Sequence, residues 1–288
     1  MKTYLFVNPA SGRHSVQRLQ FVLERLHAGG IEPECFQVLT PAEIFACCET
    51  INKECGPHLV IVAGGDGTFN AVVNGLNPDT ATLAVLPFGT SNVLAAEIGI
   101  TSIEDGVARI VAGKTRPFSA GLLELENSAH RFVLMAGIGL DGAVVRDVWP
   151  IAKKFLKQGA YALSALKRAM AWDPTVFEIS TSEGVVACHT AIICNVSRYG
   201  GNFILSPGSS PFSSGLSAVC ITGNTRCTYL SSALDLFRGR SGTSRDLVRI
   251  RSSCFEVRGR GPIQIDGDFV GYGPARISGL ADFARIIV

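Results

Sequence analysis

Three short stretches in the first third of the chain gather residues that could hold a phosphorylated ligand. Asn8-Pro-Ala-Ser-Gly12 follows an apolar run ending at Val7. Gly64-Gly-Asp-Gly-Thr68 follows Leu59–Ala63, and Pro87-Phe-Gly-Thr-Ser-Asn92 follows Leu83–Leu86. Each combines glycine backbone, a hydroxyl and an amide or carboxylate ahead of a helical pattern. Glycine lets an anion approach backbone N–H groups closely, and the start of a helix favours negative charge. On this reading the glycines of the second stretch make room for a polyphosphate. Thr68 bonds it, and Asp66 holds the cation that travels with it. A single Asp-Gly after a strand is ordinary turn chemistry. Three phosphate-friendly strand ends on one sheet edge ask for more, because ligands of parallel sheets bind beyond the carboxyl ends of the strands.

Other chemistries find less support. No GxxxxGK[ST] is present, which excludes a P-loop enzyme. Gly137-Ile-Gly-Leu-Asp-Gly142 matches GxGxxG, but it lies in a strand-rich half. Ala162 and Leu163 stand about where an acidic residue would read a ribose, so the match is rejected as a dinucleotide fingerprint. His14, His27, His58, His130 and His189 form no constellation. The loop Ser206-Pro-Gly-Ser-Ser-Pro-Phe-Ser-Ser-Gly215 is turn chemistry without Ser-His-Asp logic. The nine cysteines are scattered without CxxC or zinc spacing, as expected of reduced thiols in a cytosolic protein.

The elements that must position these stretches follow from periodicity. The chain has 288 residues, 47% hydrophobic and 17% charged, ample for a packed core. Up to about residue 115, short apolar runs alternate with helical patterns. That predicts an α/β domain with a parallel sheet covered by helices on both faces. From about 118 strands dominate: 119–126, 131–136, 175–181, 185–197, 216–222, 247–258, 262–266 and 275–287, with helices near 159–171 and 228–238. That predicts a β-rich second domain, giving boundaries of 1–117 and 118–274. Met1–Val7 reads as a first strand and not as a leader, and no apolar run approaches the ~20 residues of a membrane-spanning helix. Net charge is +2, with acids in excess before residue 120 and bases after it. A basic second half is either solvated surface or a face toward a membrane or phosphates.

Taken in order, NPxSG, GGDGT, PxGTxN, GxGxD and a late Asp266-Gly-Asp268 resemble the diacylglycerol kinase catalytic-domain superfamily over nearly the whole chain. NAD kinases and phosphofructokinases share its GGDGT, whereas Asn195…Tyr199-Gly-Gly…Pro207 and the late triplet favour the lipid-kinase branch. The resemblance implies an ATP site in a cleft between an α/β domain and a β-sandwich, with residues 275–288 completing the first domain. It implies nucleotide contacts from Asn8, Pro9, Ser11, Gly12, Thr40, Gly64, Gly65, Asp66, Gly67, Thr68, Asn70, Gly89, Thr90 and Asn92. Asp66 would serve magnesium and Asp268 would be the general base, while Asp141 would line the acceptor site. Asp66→Asn is expected to abolish turnover and leave the fold intact.

Three positions depart from the family pattern. Asp268 stands for the usual Glu. Val93 follows GT-x-N where many bacterial members have Asp. Ser213-Ser214-Gly215 replaces an Asp-Asp-Gly that holds a structural magnesium in some members, so no structural metal is expected there.

The implied activity is ATP- and magnesium-dependent phosphorylation of a lipid hydroxyl, on diacylglycerol or a sphingoid-like alcohol. A soluble acceptor, as in NAD kinases, and a nucleotide-binding regulator without turnover remain open. The implied partners are the lipid and, transiently, an anionic membrane surface. Nucleic acid is not among them, and there is room for a homodimer. The implied setting is cytoplasmic and peripheral to the membrane, with Phe155-Leu156 beside Lys153, Lys154 and Lys157 as the docking patch.

Overall fold

The computed structural model describes residues 1–78, 81–147, 175–201, 203–223, 225, 231 and 246–288. The helix expected over 159–171 and the basic stretch with Lys153, Lys154 and Lys157 lie outside the described residues, as does the one over 228–238 apart from Ser231.

The first part of the chain runs β1 (Lys2–Val7), α1 (Val16–Ala28), β2 (Glu34–Gln37), α2 (Pro41–Asn52), β3 (His58–Gly64), α3 (Asp66–Gly75), β4 (Ala81–Pro87), α4 (Val93–Glu97), α5 (Ile103–Ala112) and β5 (Thr115–Leu125). Then come β6 (Ser128–Phe132), β7 (Met135–Gly139), α6 (Leu140–Asp147), β8 (Phe177–Thr181), β9 (Gly184–Cys188), β10 (Thr190–Cys194), β11 (Arg198–Tyr199), β12 (Phe203–Ile204) and β13 (Leu216–Ile221). The chain closes with β14 (Leu247–Ser252), β15 (Cys254–Arg258), β16 (Pro262–Ile265), β17 (Asp268–Tyr272) and β18 (Ala275–Ile287). These form two compact units. One holds Met1–Ala120, Pro211–Ser213 and Ala281–Val288, and the other Gly121–Ser210 and Ser214–Leu280.

In the first unit β2, β1, β3 and β4 pair in parallel in that order, and Arg285 and Ile286 of β18 add a parallel partner to β4. All seven residues of β3 are buried, as expected of a strand with helices on both faces. Three helices start on side-chain caps. Ser15 and Ser102 accept from backbone N–H groups of α1 and α5, and Thr40 forms a reciprocal capping box with Glu43. Helix α3 is different: its cap residue is Gly65, which supplies no side-chain acceptor.

The second unit is strand-rich. One antiparallel sheet runs β14-β13-β10-β7-β16-β17, while β8 pairs with β9 and β15, and β15 with the first residues of β18. Between these layers lies a core including Ile138, Phe177, Ile193, Phe255 and Ile277. The single strands expected over 185–197 and 247–258 are each broken, at His189 and at Ser253. At both points the chain leaves one layer for the other: β9 pairs β8 while β10 pairs β7 and β13, and β14 pairs β13 while β15 pairs β8. Such corners keep the apolar period intact across the break, which is why periodicity alone reads one strand. No helix among the described residues is long and apolar enough to cross a membrane.

Candidate functional site

The three strand ends of the first unit are bonded to one another. Asn8 sits just past β1. Its backbone N–H donates to Ala63 O at 3.1 Å, its Nδ2 to Thr68 Oγ1 at 3.0 Å, and its Oδ1 accepts from Ala10 N. Arg13 N donates to Phe88 O at 2.8 Å, and Gly89 N to Gly64 O at 3.1 Å. Pro9, Gly12, Gly67 and Thr90 lie exposed around these bonds, with Ser11 and Gly65 half-buried.

Asp66 opens α3, and its half-buried carboxylate reaches the next strand end. Oδ2 accepts from Val93 N and Oδ1 from Leu94 N, both at 3.0 Å. Asp66 thus caps α4, whose own cap residue, Asn92, makes no capping bond. Burial pushes the Asp66 carboxyl above the usual carboxylate range, against the pull of the Leu94 and Val93 N–H groups. The geometry adds a stability cost to Asp66→Asn beside its expected loss of turnover. An amide would set its NH₂ against one of the two backbone donors, leaving a donor unmet.

The glycines divide by role. A side chain on Gly64 would meet Thr68 Cβ at 2.7 Å, and one on Gly89 would meet Gly65 Cα at 2.5 Å. Gly64 lets α3 turn back tightly on β3, and Gly89 lets the end of β4 close on that of β3, a different use from the close approach of a ligand. Of the GGDGT glycines only Gly67 faces open space among the described residues, with none of their atoms within 4 Å of where a Cβ would stand. It lies in the first turn of α3, where backbone N–H groups lack helical partners and no side chain caps them. Gly89→Ala is therefore expected to destabilise the protein by ~1–3 kcal/mol through overpacking, whereas Gly67→Ala leaves stability nearly unchanged. Denaturant midpoints of the two variants check this.

Two other expected contacts have further duties. Thr40 Oγ1 accepts from Glu43 N in the α2 capping box, and Asn70 Oδ1 accepts from Asn74 along α3. Asn92 has φ 48° and donates from Nδ2 to Pro87 O and Gly89 O, while its buried Oδ1 has no partner among the described residues. An orphaned acceptor beside a half-buried carboxylate and open helix-start N–H groups suits a phosphate chain with its cation. Asp66 and, through its oxygen, Asn92 fit the charge and donor needs of Mg²⁺, and Gly67 and Thr68 those of phosphate.

In the second unit, Asp266 and Gly267 have φ 47° and 93° and turn β16 into β17. The Asp266 carboxylate accepts from Val133, Leu134 and Met135 N–H groups at 2.7–2.9 Å. Asn195 holds the Val133–Met135 segment that Asp266 grips, with Nδ2 donating to Val133 O at 2.8 Å. Asp268 follows as the first residue of β17, with its side chain exposed. Asp141 is buried in the first turn of α6, where it accepts from Tyr199 Oη at 2.5 Å and Gln264 Nε2 at 2.7 Å. Its two oxygens are engaged inside the unit, and burial raises its pKa. Sequence reading missed Asp266 and Gln264 as working residues. The Asp-Gly pair was the available signal for the first, and nothing local marks the second. Gly215 of the Ser213-Ser214-Gly215 segment lies near Arg251 Nε, a cation and no ligand for one.

The residues 2–123, which carry the strand-end site, match the family model described as diacylglycerol kinase catalytic domain. A protein of Bacillus subtilis (strain 168) named diacylglycerol kinase is 26% identical over 296 residues, covering 99% of this chain and 95% of that one. A crystal structure from Bacillus anthracis str. Sterne superposes with a TM-score of 0.81 at 19% identity, covering 99% of this chain and 94% of the other. An NAD kinase from Archaeoglobus fulgidus, solved in complex with ATP, superposes with a TM-score of 0.52 at 12% identity over 100% and 94% of the two chains, a likeness of fold alone. Motif order, the α/β unit with its strand-rich companion and these likenesses agree, and residues 2–123 of the chain carry the match to the diacylglycerol kinase catalytic domain, within a chain similar over nearly its whole length to a protein named diacylglycerol kinase.

Proposed function

We propose that the protein is an ATP- and magnesium-dependent lipid kinase acting on the hydroxyl of diacylglycerol or a sphingoid-like long-chain alcohol. The observation that carries this reading is the cross-bonded set of strand ends around α3, whose first turn is uncapped and open at Gly67. Phosphoryl transfer asks a protein mainly for positioning and charge neutralisation. Bound magnesium neutralises charge on the phosphates. Asp66 would hold it, with Asn8, Ser11, Gly67, Thr68 and Thr90 orienting the phosphate chain. Asp268 takes the proton of the acceptor hydroxyl as that oxygen bonds to the terminal phosphorus. The bond from that phosphorus to the bridging oxygen breaks, and ADP leaves with the electron pair. The Bacillus subtilis relative's name supports a lipid acceptor.

Transfer of γ-labelled phosphate from ATP to a panel of extracted lipids tests the proposal. Label is expected in the organic phase and only with magnesium. Label confined to a soluble acceptor such as NAD would favour the nucleotide-kinase reading. ATP binding with no transfer to any acceptor would favour a regulator.

A lipid kinase must reach its acceptor in a bilayer, so the protein is proposed to dock transiently on anionic membrane. Each lysine near such a surface contributes about 1 kcal/mol, screened within a Debye length. Co-sedimentation with liposomes should rise with anionic lipid, fall with salt, and weaken when Lys153, Lys154 and Lys157 are all changed to Gln. Binding indifferent to all three would remove the electrostatic docking.

A further inference from the structure

The geometry points to Gln264 as the positioning residue of the Asp268 hairpin, acting from a buried bond to Asp141; this rests on reading Asp268 as the proton acceptor. Gln264 is 3% exposed in β16 and uses both ends of its amide. Oε1 accepts from Gly267 N at 2.8 Å, and Nε2 donates to Asp141 Oδ2 at 2.7 Å. The Gly267 backbone N–H can only donate, so Oε1 must face it and Nε2 must face Asp141, which gives the amide one orientation. Tyr199 Oη in turn donates to the other Asp141 oxygen. Three segments, α6, β11 and β16, thus converge on the Asp266–Gly267 peptide, one residue ahead of Asp268.

The rejected GxGxxG match acquires a purpose here. A Cβ on Gly137 would stand 1.7 Å from Asp141 Oδ2 and 2.7 Å from Gln264 Nε2, and one on Gly142 would stand 2.1 Å from Pro262 O. Both glycines clear space for α6 to close on β16 so that Asp141 can reach Gln264. The motif sits between β7 and α6, but β7 pairs antiparallel with both neighbours, which is no dinucleotide-binding unit.

Burying a carboxylate is costly, and the turn does not need this one to exist. Asp266 already ties the hairpin to Val133, Leu134 and Met135 through three backbone bonds. Those bonds set where the turn sits. The Gln264 bond sets how the Gly267 peptide is tilted, and so where the next side chain, Asp268, points. A carboxylate that must meet a hydroxyl within hydrogen-bond reach is sensitive to that tilt.

The test is a cycle of full-length variants, Gln264→Met, Asp268→Asn and both together, assayed with γ-labelled ATP and extracted lipid. Gln264→Met keeps the side chain's length and removes both bonds. It is expected to lower kcat by roughly 10²-fold, the cost of about an ångström of misplacement, with KM for ATP unchanged. In the Asp268→Asn background the same change should cost less than about twofold, because no base remains to be positioned. Tyr199→Phe, which removes only the hydroxyl behind Asp141, should show a smaller loss with the same non-additivity and guards against misfolding of the Met variant. Equal losses in both backgrounds, or none in the wild-type background while Asp268→Asn is impaired, would overturn the positioning role. Full activity of Asp268→Asn would instead sink the base assignment on which it rests.

Discussion

Asp268→Asn lowers kcat by roughly 10²–10⁴ and leaves ATP affinity unchanged; this is the expected result where a positioned carboxylate takes the proton of a weakly nucleophilic lipid hydroxyl. The structure makes the substitution a clean one. Asp268 is exposed at the start of β17, and the neighbouring carboxylate that holds the hairpin is Asp266. Removing one charge from Asp268 should therefore leave the fold standing. Asp268→Glu is the informative companion. It restores the side chain usual in the family and should keep substantial activity, since the exposed position leaves room for one more methylene. Steady-state kinetics paired with nucleotide titration separate the two quantities. Normal turnover of Asp268→Asn would make the carboxylate a hairpin residue only, and the proton would have to leave by another route.

Asp66→Asn should act on both turnover and stability. Its carboxylate would serve magnesium and, in the same geometry, accepts the first N–H groups of α4 from Val93 and Leu94. Asparagine offers one acceptor where two are needed and sets an NH₂ against a backbone donor, which costs ~1–3 kcal/mol. The expected outcome is loss of magnesium-dependent transfer even under conditions where the variant is fully folded, together with a lower denaturant midpoint. A folded variant that still turns over with magnesium would reduce Asp66 to a helix cap. A midpoint equal to wild type would contradict the capping geometry instead. Val93 fits this picture: its backbone N–H, the group that bonds Asp66, is present whatever its side chain.

The amino-acid sequence by itself determined the α/β character of the first unit, the strand-rich second part and the three strand ends. These rest on local signals: apolar period, turn residues and the position of glycine after a buried run. The Thr40–Glu43 capping box is equally local, both partners lying within one helical turn, although the sequence reading gave Thr40 only a nucleotide contact. What the tertiary structure decided involves partners far apart in sequence. Asp66 reaches Val93, Asp266 reaches Val133, and Gln264 reaches Asp141. No periodicity encodes which distant backbone donors a carboxylate will meet. The same holds for the glycines. GGDGT announces a tight turn, but only packing shows that Gly89 is pressed on Gly65 while Gly67 is open. The breaks at His189 and Ser253 were hidden because a chain crossing from one layer to the other keeps its alternating burial, so the corner exists only in the pairing of strands.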